Sequence, residues 1–232
     1  MAPLLHGTPV RVAEKAVVSW SSGKDSAYAL WEVRRSGEHD IVGLLTTVTD
    51  SFHRVSIHGV REELLDRQAR AVGLPLLKVE IPYPCPNEAY ERAMAGALET
   101  LRDQGVRRIV FGDLFLEDVR AYRESRLRGT GFEAVFPLWH RPTDALAREM
   151  IGGGLEAYVV SLDPRVLPRT FAGRRFDAAF LRDLPSSVDP CGEKGEFHTF
   201  VSAGPMFSGP VPVAVGPTVE RDGFLFTDLT PA

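Results

Sequence analysis

The sequence predicts a doubly wound α/β fold: a Rossmann-like parallel sheet followed by a small β-containing C-terminal region. Three features of the 232-residue chain carry that expectation. Short apolar, β-prone runs alternate with amphipathic helical segments, the first three helical segments each stop at a glycine, and the junctions between run and helix are rich in Ser, Gly, Thr and Asp. Strands separated by helices imply right-handed crossovers, and therefore parallel strands covered on both faces.

The first run, Ala16-Val17-Val18-Ser19-Trp20, is short and β-prone and ends at the turn formers Ser21-Ser22-Gly23. From Lys24 onward, Ala27, Leu30, Trp31 and Arg34 recur at helical spacing, and Gly37 falls where a left-handed cap would close the helix. A second strand is expected over residues 41–48, then a helix face of Val60, Leu64, Leu65, Gln68 and Val72 ending at Gly73, then a third strand over 76–81. The clearest helix runs from Asn87, with Tyr90, Ala93, Met94, Ala97, Leu98 and Leu101 on one face and Gly105 at its end. A fourth strand over 107–111 closes at Gly112-Asp113, and the charged segment 117–128 reads as a helix. Residues 134–136 and 158–161 are the fifth and sixth candidate strands.

Beyond residue 161 prolines interrupt the text, at 164, 168, 185, 190, 205, 210, 212 and 217, so only 177–184 can form a further helix. The expected division is an α/β domain over 1–184 and a small region over 185–232, with strands at 211–215 and 224–226 around Arg221-Asp222-Gly223. Ligands of doubly wound sheets sit beyond the carboxyl ends of the strands, so the loops 21–26, 46–50 and 112–117 should face one crevice.

Acidic residues outnumber basic ones, 31 to 27, giving a net charge of −4. That balance argues against a broad phosphate-tracking surface, and nucleic acid is not an expected partner. Cys85 and Cys191 are too few for a disulfide framework or a four-cysteine zinc site, which suits a reducing, cytoplasmic compartment. No stretch approaches the roughly 20 apolar residues of a membrane helix, so no membrane partner is expected.

Trp20-Ser21-Ser22-Gly23-Lys24-Asp25-Ser26 joins a buried strand to a helix N-terminus, where unpaired backbone N–H groups and the positive dipole end attract anions. Three hydroxyls, a glycine and one lysine complete a cradle for a pyrophosphate-like group. The segment is not a Walker A loop, which would need glycine at Val18 and Ser or Thr at Asp25. Asp113, at the end of a predicted central strand, is placed for ligand contact, whereas Arg123 and Glu124 lie on a charged helical stripe. Glu193, Glu196 and His198 stand within six residues, flanked by Gly192 and Gly195, so turns can aim them at one point. A Cys191–His198 metal pair is the competing idea, without an apparent third and fourth ligand. His53 and His58 share a loop that could also face the crevice. No G-x-S-x-G elbow occurs, which disfavours a serine hydrolase of that type.

The Ser21–Ser26 motif after the first strand resembles the pyrophosphate loop of the ATP pyrophosphatases, which cleave ATP between the α and β phosphates to adenylate a substrate. The block from Asp189 to Val201, with Gly192-Glu193-Lys194-Gly195-Glu196-Phe197-His198-Thr199, resembles the signature of the diphthine–ammonia ligase branch of that superfamily. Val110-Phe111-Gly112-Asp113-Leu114-Phe115, Arg123-Glu124 and Phe136-Pro137-Leu138-Trp139 resemble further blocks in order. Ser22 stands where the family motif more often has glycine.

By that resemblance Ser21, Ser22, Gly23, Lys24 and Ser26 hold the β and γ phosphates of ATP, and Asp25 lies near a magnesium ion or orients the loop. Thr46, Thr47, Gly112 and Asp113 border the nucleotide, Lys24 and Asp113 also take part in catalysis, with Lys24 offsetting charge on the departing pyrophosphate, while Glu193, Glu196 and His198 bind the acceptor or take a proton from ammonia. The implied reaction adenylates a carboxylate with ATP and Mg2+, releases pyrophosphate, and lets ammonia displace AMP. The implied acceptor is diphthine, a modified histidine on elongation factor 2; homodimerisation stays open. Diphthamide belongs to archaea and eukaryotes, so in a bacterium the alternatives are another carboxylate acceptor, hydrolysis of a nucleotide at its α phosphate, or a nucleotide-binding module without turnover.

Overall fold

A computed structural model describes residues 13–49, 54–55 and 59–232. Strand β1 (Glu14–Ser19) buries Ala16, Val17 and Val18 in succession, as a central strand covered on both faces must. Helix α1 (Lys24–Ser36) packs Ala27, Leu30 and Val33 inward and stops at Gly37, whose φ of 66° is left-handed and whose N–H closes on the Val33 carbonyl. Strand β2 (His39–Thr49) follows, then the two-residue β3 (Arg54–Val55) and helix α2 (Glu62–Val72), ended by Gly73 at φ 72°. Next come β4 (Leu76–Ile81), α3 (Asn87–Asp103), β5 (Arg108–Val110), α4 (Glu117–Leu127) and β6 (Glu133–Val135).

These strands form one sheet ordered β4-β2-β1-β5-β6, all parallel, with β3 antiparallel to the end of β2. The chain builds outward from β1 on one side through β2 and β4, then returns to build β5 and β6 on the other. The order therefore reverses between β1 and β5, and the crevice of a doubly wound sheet opens beyond their carboxyl ends.

Helix α5 (Thr143–Gly152) and β7 (Glu156–Leu162) come next, followed by α6 (Ala178–Asp183), β8 (Phe197–Ala203), β9 (Val213–Arg221) and β10 (Phe224–Pro231). Strands β7 to β10 make a second, antiparallel sheet in the order β8-β7-β10-β9. The division expected at 184/185 thus falls between β7 and β8, two paired strands of one sheet. Ala157, Val159, Val160 and Leu162 of β7 are all buried, and such a run fits a parallel or an antiparallel sheet equally well. Only its hydrogen-bond partners decide.

Alternation along β1 assigns the two faces of the first sheet. Ala16 and Val18 join a core shared with α1, α2, α5 and the second sheet, through Leu30, Leu64, Met150, Val159 and Phe197. Val17 points to the other core, with Leu45 and Ile109 beneath Leu98 and Leu101 of α3 and Leu127 of α4. The loop leaving β1 therefore sits on a crest, with the second sheet on one side and the α3–α4 layer on the other. Among the described residues no helix is long and apolar enough to cross a membrane.

Candidate active site

Buried β1 delivers the chain to Trp20, whose N–H bonds to the Leu45 carbonyl at 2.7 Å, and α1 begins four residues later. Its N-cap, Gly23, has no side chain with which to satisfy the first-turn amides, the groups that receive an anion at a helix N-terminus. Ser21 and Ser26 meet across the loop: their hydroxyls lie 3.0 Å apart, the Ser21 N–H donates to Ser26 Oγ at 3.3 Å, and Ser26 Oγ donates to the Gly23 carbonyl at 3.0 Å. Gly23 N–H points to Ser21 Oγ at 3.3 Å.

Ser22 adopts φ 70°, the left-handed region, which explains why glycine is the residue expected there. A non-glycine residue pays about 1–2 kcal/mol for it. Its carbonyl accepts from the Val201 N–H of β8 and from Gln68 Nε2 of α2, both at 3.0 Å, while its fully buried hydroxyl has no hydrogen-bond partner.

Lys24 is engaged by its neighbour Asp25 and by the tail. Its side chain is buried, and Nζ donates to both carboxylate oxygens of Asp25, at 2.8 and 3.0 Å, and to the carbonyl of Cys191. The rings of Phe176 and Phe197 flank the ammonium at 5.7 and 5.3 Å. Burial is the largest influence and lowers its pKa, but the Asp25 carboxylate, with Cys191 and Glu193 adding to it, outweighs burial and holds the ammonium above the ordinary lysine value. The Lys24 N–H donates to Thr199 Oγ at 3.1 Å, so Lys24 by itself ties the loop to the tail twice.

The loop after β5 lies alongside. A Cβ on Gly112 would stand 2.7 Å from the Asp25 carbonyl carbon and 2.8 Å from the Ser26 nitrogen, so only glycine lets the two loops touch. Asp113 is gripped by Arg123 at 2.6 and 3.1 Å in a forked pair. Leu114 and Phe115 then turn their N–H groups onto Glu193 Oε1, at 2.8 and 3.4 Å. Burial raises the Glu193 pKa to about 7; these amides pull the other way, and the neighbouring Asp25 and Asp113 charges add to the rise.

The acids of the tail divide sharply. Glu196 is buried and closes its own turn, accepting the Asp189 N–H at 3.0 Å and the Lys194 N–H at 2.9 Å. Asp189 accepts from the Cys191 N–H at 2.9 Å, the Glu193 N–H at 3.3 Å and Thr143 Oγ at 2.7 Å, bracing the same turn against α5. His198 sits on β8, and burial, then the nearby Lys24 charge, push its pKa down to about 4, so the imidazole is neutral near pH 7. The Cys191 thiol donates to the Thr143 carbonyl at 3.4 Å, and burial pushes its pKa up. Among the described residues no group of three or more His, Cys, Asp and Glu could hold a metal ion, so the Cys191–His198 metal pair finds no further ligands.

On the other flank of the crest a cavity of about 560 Å³ runs under α3 and α4. Ser21, Thr46 and Thr47 border it with Tyr90, Phe111 and Arg123. Strand β1 pairs with β2 only as far as Leu45, so Thr46 and Thr47 project past the β1 terminus beside the loop.

Two family models match the chain. That of the diphthamide synthase N-terminal domain covers residues 14–134, and that of the diphthamide synthase C-terminal domain covers 142–223. The chain belongs to the diphthamide synthase family. It is 25% identical over 209 residues to the diphthine–ammonia ligase of Homo sapiens, covering 81% of this chain and 78% of that protein. It is likewise 25% identical over 234 residues to the enzyme of the same name from Rattus norvegicus, covering 90% and 86%. The Schizosaccharomyces pombe protein of that name is 24% identical over 81% of this chain, which spans 34% of that longer relative.

In this diphthamide synthase family member the two matched segments meet at the crest. Ser21, Thr46 and Thr47 share the cavity, while Lys24, Asp25, Gly112, Glu193 and Thr199 converge on its opposite side. Asp113 is drawn to α4 and Glu196 into its own turn. Sequence reasoning did not single out Asp189, Thr199 or Gln68 for the site. An Asp ahead of Pro-Cys-Gly is a turn-bracing signal, and a glutamine on an otherwise apolar helix face is another. His53, His58 and Asp50 lie outside the described residues.

Proposed function

We propose that the chain is an ATP-dependent amide ligase of the diphthine–ammonia type, forming diphthamide on elongation factor 2 in the cytoplasm. The observation that carries this reading is the docking of the phosphate loop on the tail, through Lys24 to Cys191 and Thr199. An acceptor held by the tail would thereby lie beside a triphosphate held by the loop.

A carboxylate resists ammonia until its oxygen becomes a good leaving group. In the proposed cycle a carboxylate oxygen of the acceptor attacks the α phosphorus, the bond to the β-phosphate bridge oxygen breaks, and pyrophosphate leaves. Ammonia then attacks the acyl carbon, AMP departs with the bonding pair, and nitrogen loses one proton. The first-turn amides of α1 and the Ser21 and Ser26 hydroxyls offset charge on the departing pyrophosphate, with Lys24 adding its ammonium. The cavity bordered by Thr46 and Thr47 takes the nucleoside. Glu193, with a pKa of about 7 and amide-anchored position, accepts the proton from nitrogen. The neutral His198 faces the acceptor from β8, and Glu196 shapes the turn that carries Glu193.

Magnesium fits this site as an ion carried by the nucleotide rather than by a protein cage. Asp25 is the partly exposed carboxylate beside the loop, with a side chain 29% accessible and shared with Lys24. Mg2+ is commonly held by one or two carboxylates plus substrate phosphates and water, and its charge would help neutralise the triphosphate.

The test is incubation with ATP, Mg2+, ammonium and elongation factor 2 bearing diphthine. AMP and pyrophosphate should appear in step with amide formation. Formation of ADP and phosphate, or AMP release indifferent to the acceptor, would overturn the reading.

A further inference from the structure

Gln68 is a polar side chain with no exposed surface, set on α2 between Leu64, Leu65 and Val72, all of which are buried. Burying an amide costs free energy unless its groups are paired, and this one makes three bonds, two to the segment leaving β1 and one to β8. The indole N–H of Trp20 donates to Oε1 at 3.0 Å, while Nε2 donates to the Ser22 carbonyl at 3.0 Å and to the Val201 carbonyl at 2.7 Å. The chemistry fixes the orientation of the amide, because an indole nitrogen only donates and backbone carbonyls only accept.

The Ser22 carbonyl is the key partner. It also takes the Val201 N–H at 3.0 Å, so two donors from two different elements hold one peptide plane. A trans peptide sets its N–H opposite its C=O, and the Gly23 N–H is accordingly turned away from α2 and β8, onto Ser21 Oγ. That is the side on which Ser21 and Ser26 pair. Backbone held at a left-handed φ by a serine persists only where the surroundings over-determine it, and the Gln68 and Val201 bonds are that over-determination.

We infer that Gln68 is a positioning residue for the phosphate loop: it sets the Ser22–Gly23 peptide that presents an N–H to the phosphates, and locks that peptide to the strand bearing His198 and Thr199. The inference rests on the phosphate-loop reading above and adds a residue that touches no substrate. Its effect falls on the phosphate end of the nucleotide and leaves the nucleoside end alone.

The test compares Gln68→Met, which keeps length and removes all three bonds, with Gln68→Glu, which keeps shape and sets an acidic group against two carbonyls. Calorimetric titration of each variant with inorganic pyrophosphate, ATP and adenosine should show pyrophosphate and ATP binding at least tenfold weaker, with adenosine within twofold of wild type. KM for ATP should rise while KM for ammonium stays unchanged, a split that general loosening of the fold would not produce. Pyrophosphate affinity within twofold of wild type in a folded variant, or equal losses for adenosine and pyrophosphate, would overturn the inference. Should neither variant fold, the wild-type Gln68 Nε2 protons give the reading by NMR. They should be protected from exchange and gain protection with pyrophosphate but not with adenosine; unprotected protons, or no response to pyrophosphate, would sink the inference. A wild-type protein that binds no pyrophosphate at all would instead remove the phosphate-loop reading itself.

Discussion

The two loops that meet at the crest are built on opposite plans. The loop over 21–26 pairs Ser21 and Ser26 hydroxyl to hydroxyl and is held from behind, by Gln68, Val201 and Thr199, through its backbone. The tail over 189–196 largely holds itself, turning Asp189 and Glu196 onto its own amides, while the Glu193 side chain reaches across to the loop after β5. Two glutamates three residues apart therefore differ in kind. Clustering of acids in a sequence says nothing about which are consumed in shaping a turn, because that depends on which N–H groups come within about 3 Å.

The sharpest way to break this contrast is Glu193→Gln. As a general base, Glu193 should cost roughly 100-fold in kcat when lost, and the rise of wild-type activity through about pH 7 should vanish in a pH–rate profile. The same group carries a stability signature. Its folded pKa lies above the ordinary carboxyl value of 4.5, so the folded state binds the proton more tightly and wild-type stability should fall as pH rises from about 4.5 to about 7, then level off. Denaturant melts across that window should show the slope in wild type and its absence in Glu193→Gln.

Glu196→Gln tests the other half. Its cost should appear as stability, about 2 kcal/mol in a chemical melt, since one buried amide is left facing an N–H donor. A pH–rate profile retaining the limb near 7 would separate it from Glu193; loss of that limb would erase the distinction between the two acids.

Lys24→Ala removes the cation that joins the loops and strands the Asp25 carboxylate. Turnover should drop at least tenfold, about 1.4 kcal/mol, in a steady-state assay of AMP release. Unchanged turnover would show that the loops meet without functional consequence.

The smallest effect is a gain. Ser22→Gly relieves the left-handed strain and removes a buried, unpartnered hydroxyl, at the expense of a freer unfolded chain. A net stabilisation of about 1 kcal/mol is expected from denaturant midpoints. A loss of stability would mean that the serine hydroxyl is paired in solution.

Much of this molecule was written locally in its residues. Short apolar runs, helical spacing and the left-handed stops at Gly37 and Gly73 settle the alternating strands and helices, because each is decided within a few residues of chain. The strand–turn–helix junction over 21–26 was legible for the same reason: strand, hydroxyls, glycine and helix start are contiguous. Tertiary structure alone decided the rest. It drew β7 into the second sheet, buried Lys24 against the Cys191 carbonyl, separated Glu193 from Glu196, and set Gln68 behind the Ser22 peptide. Each of these rests on a hydrogen bond whose partner, however near in space, is specified by packing rather than by spacing along the chain.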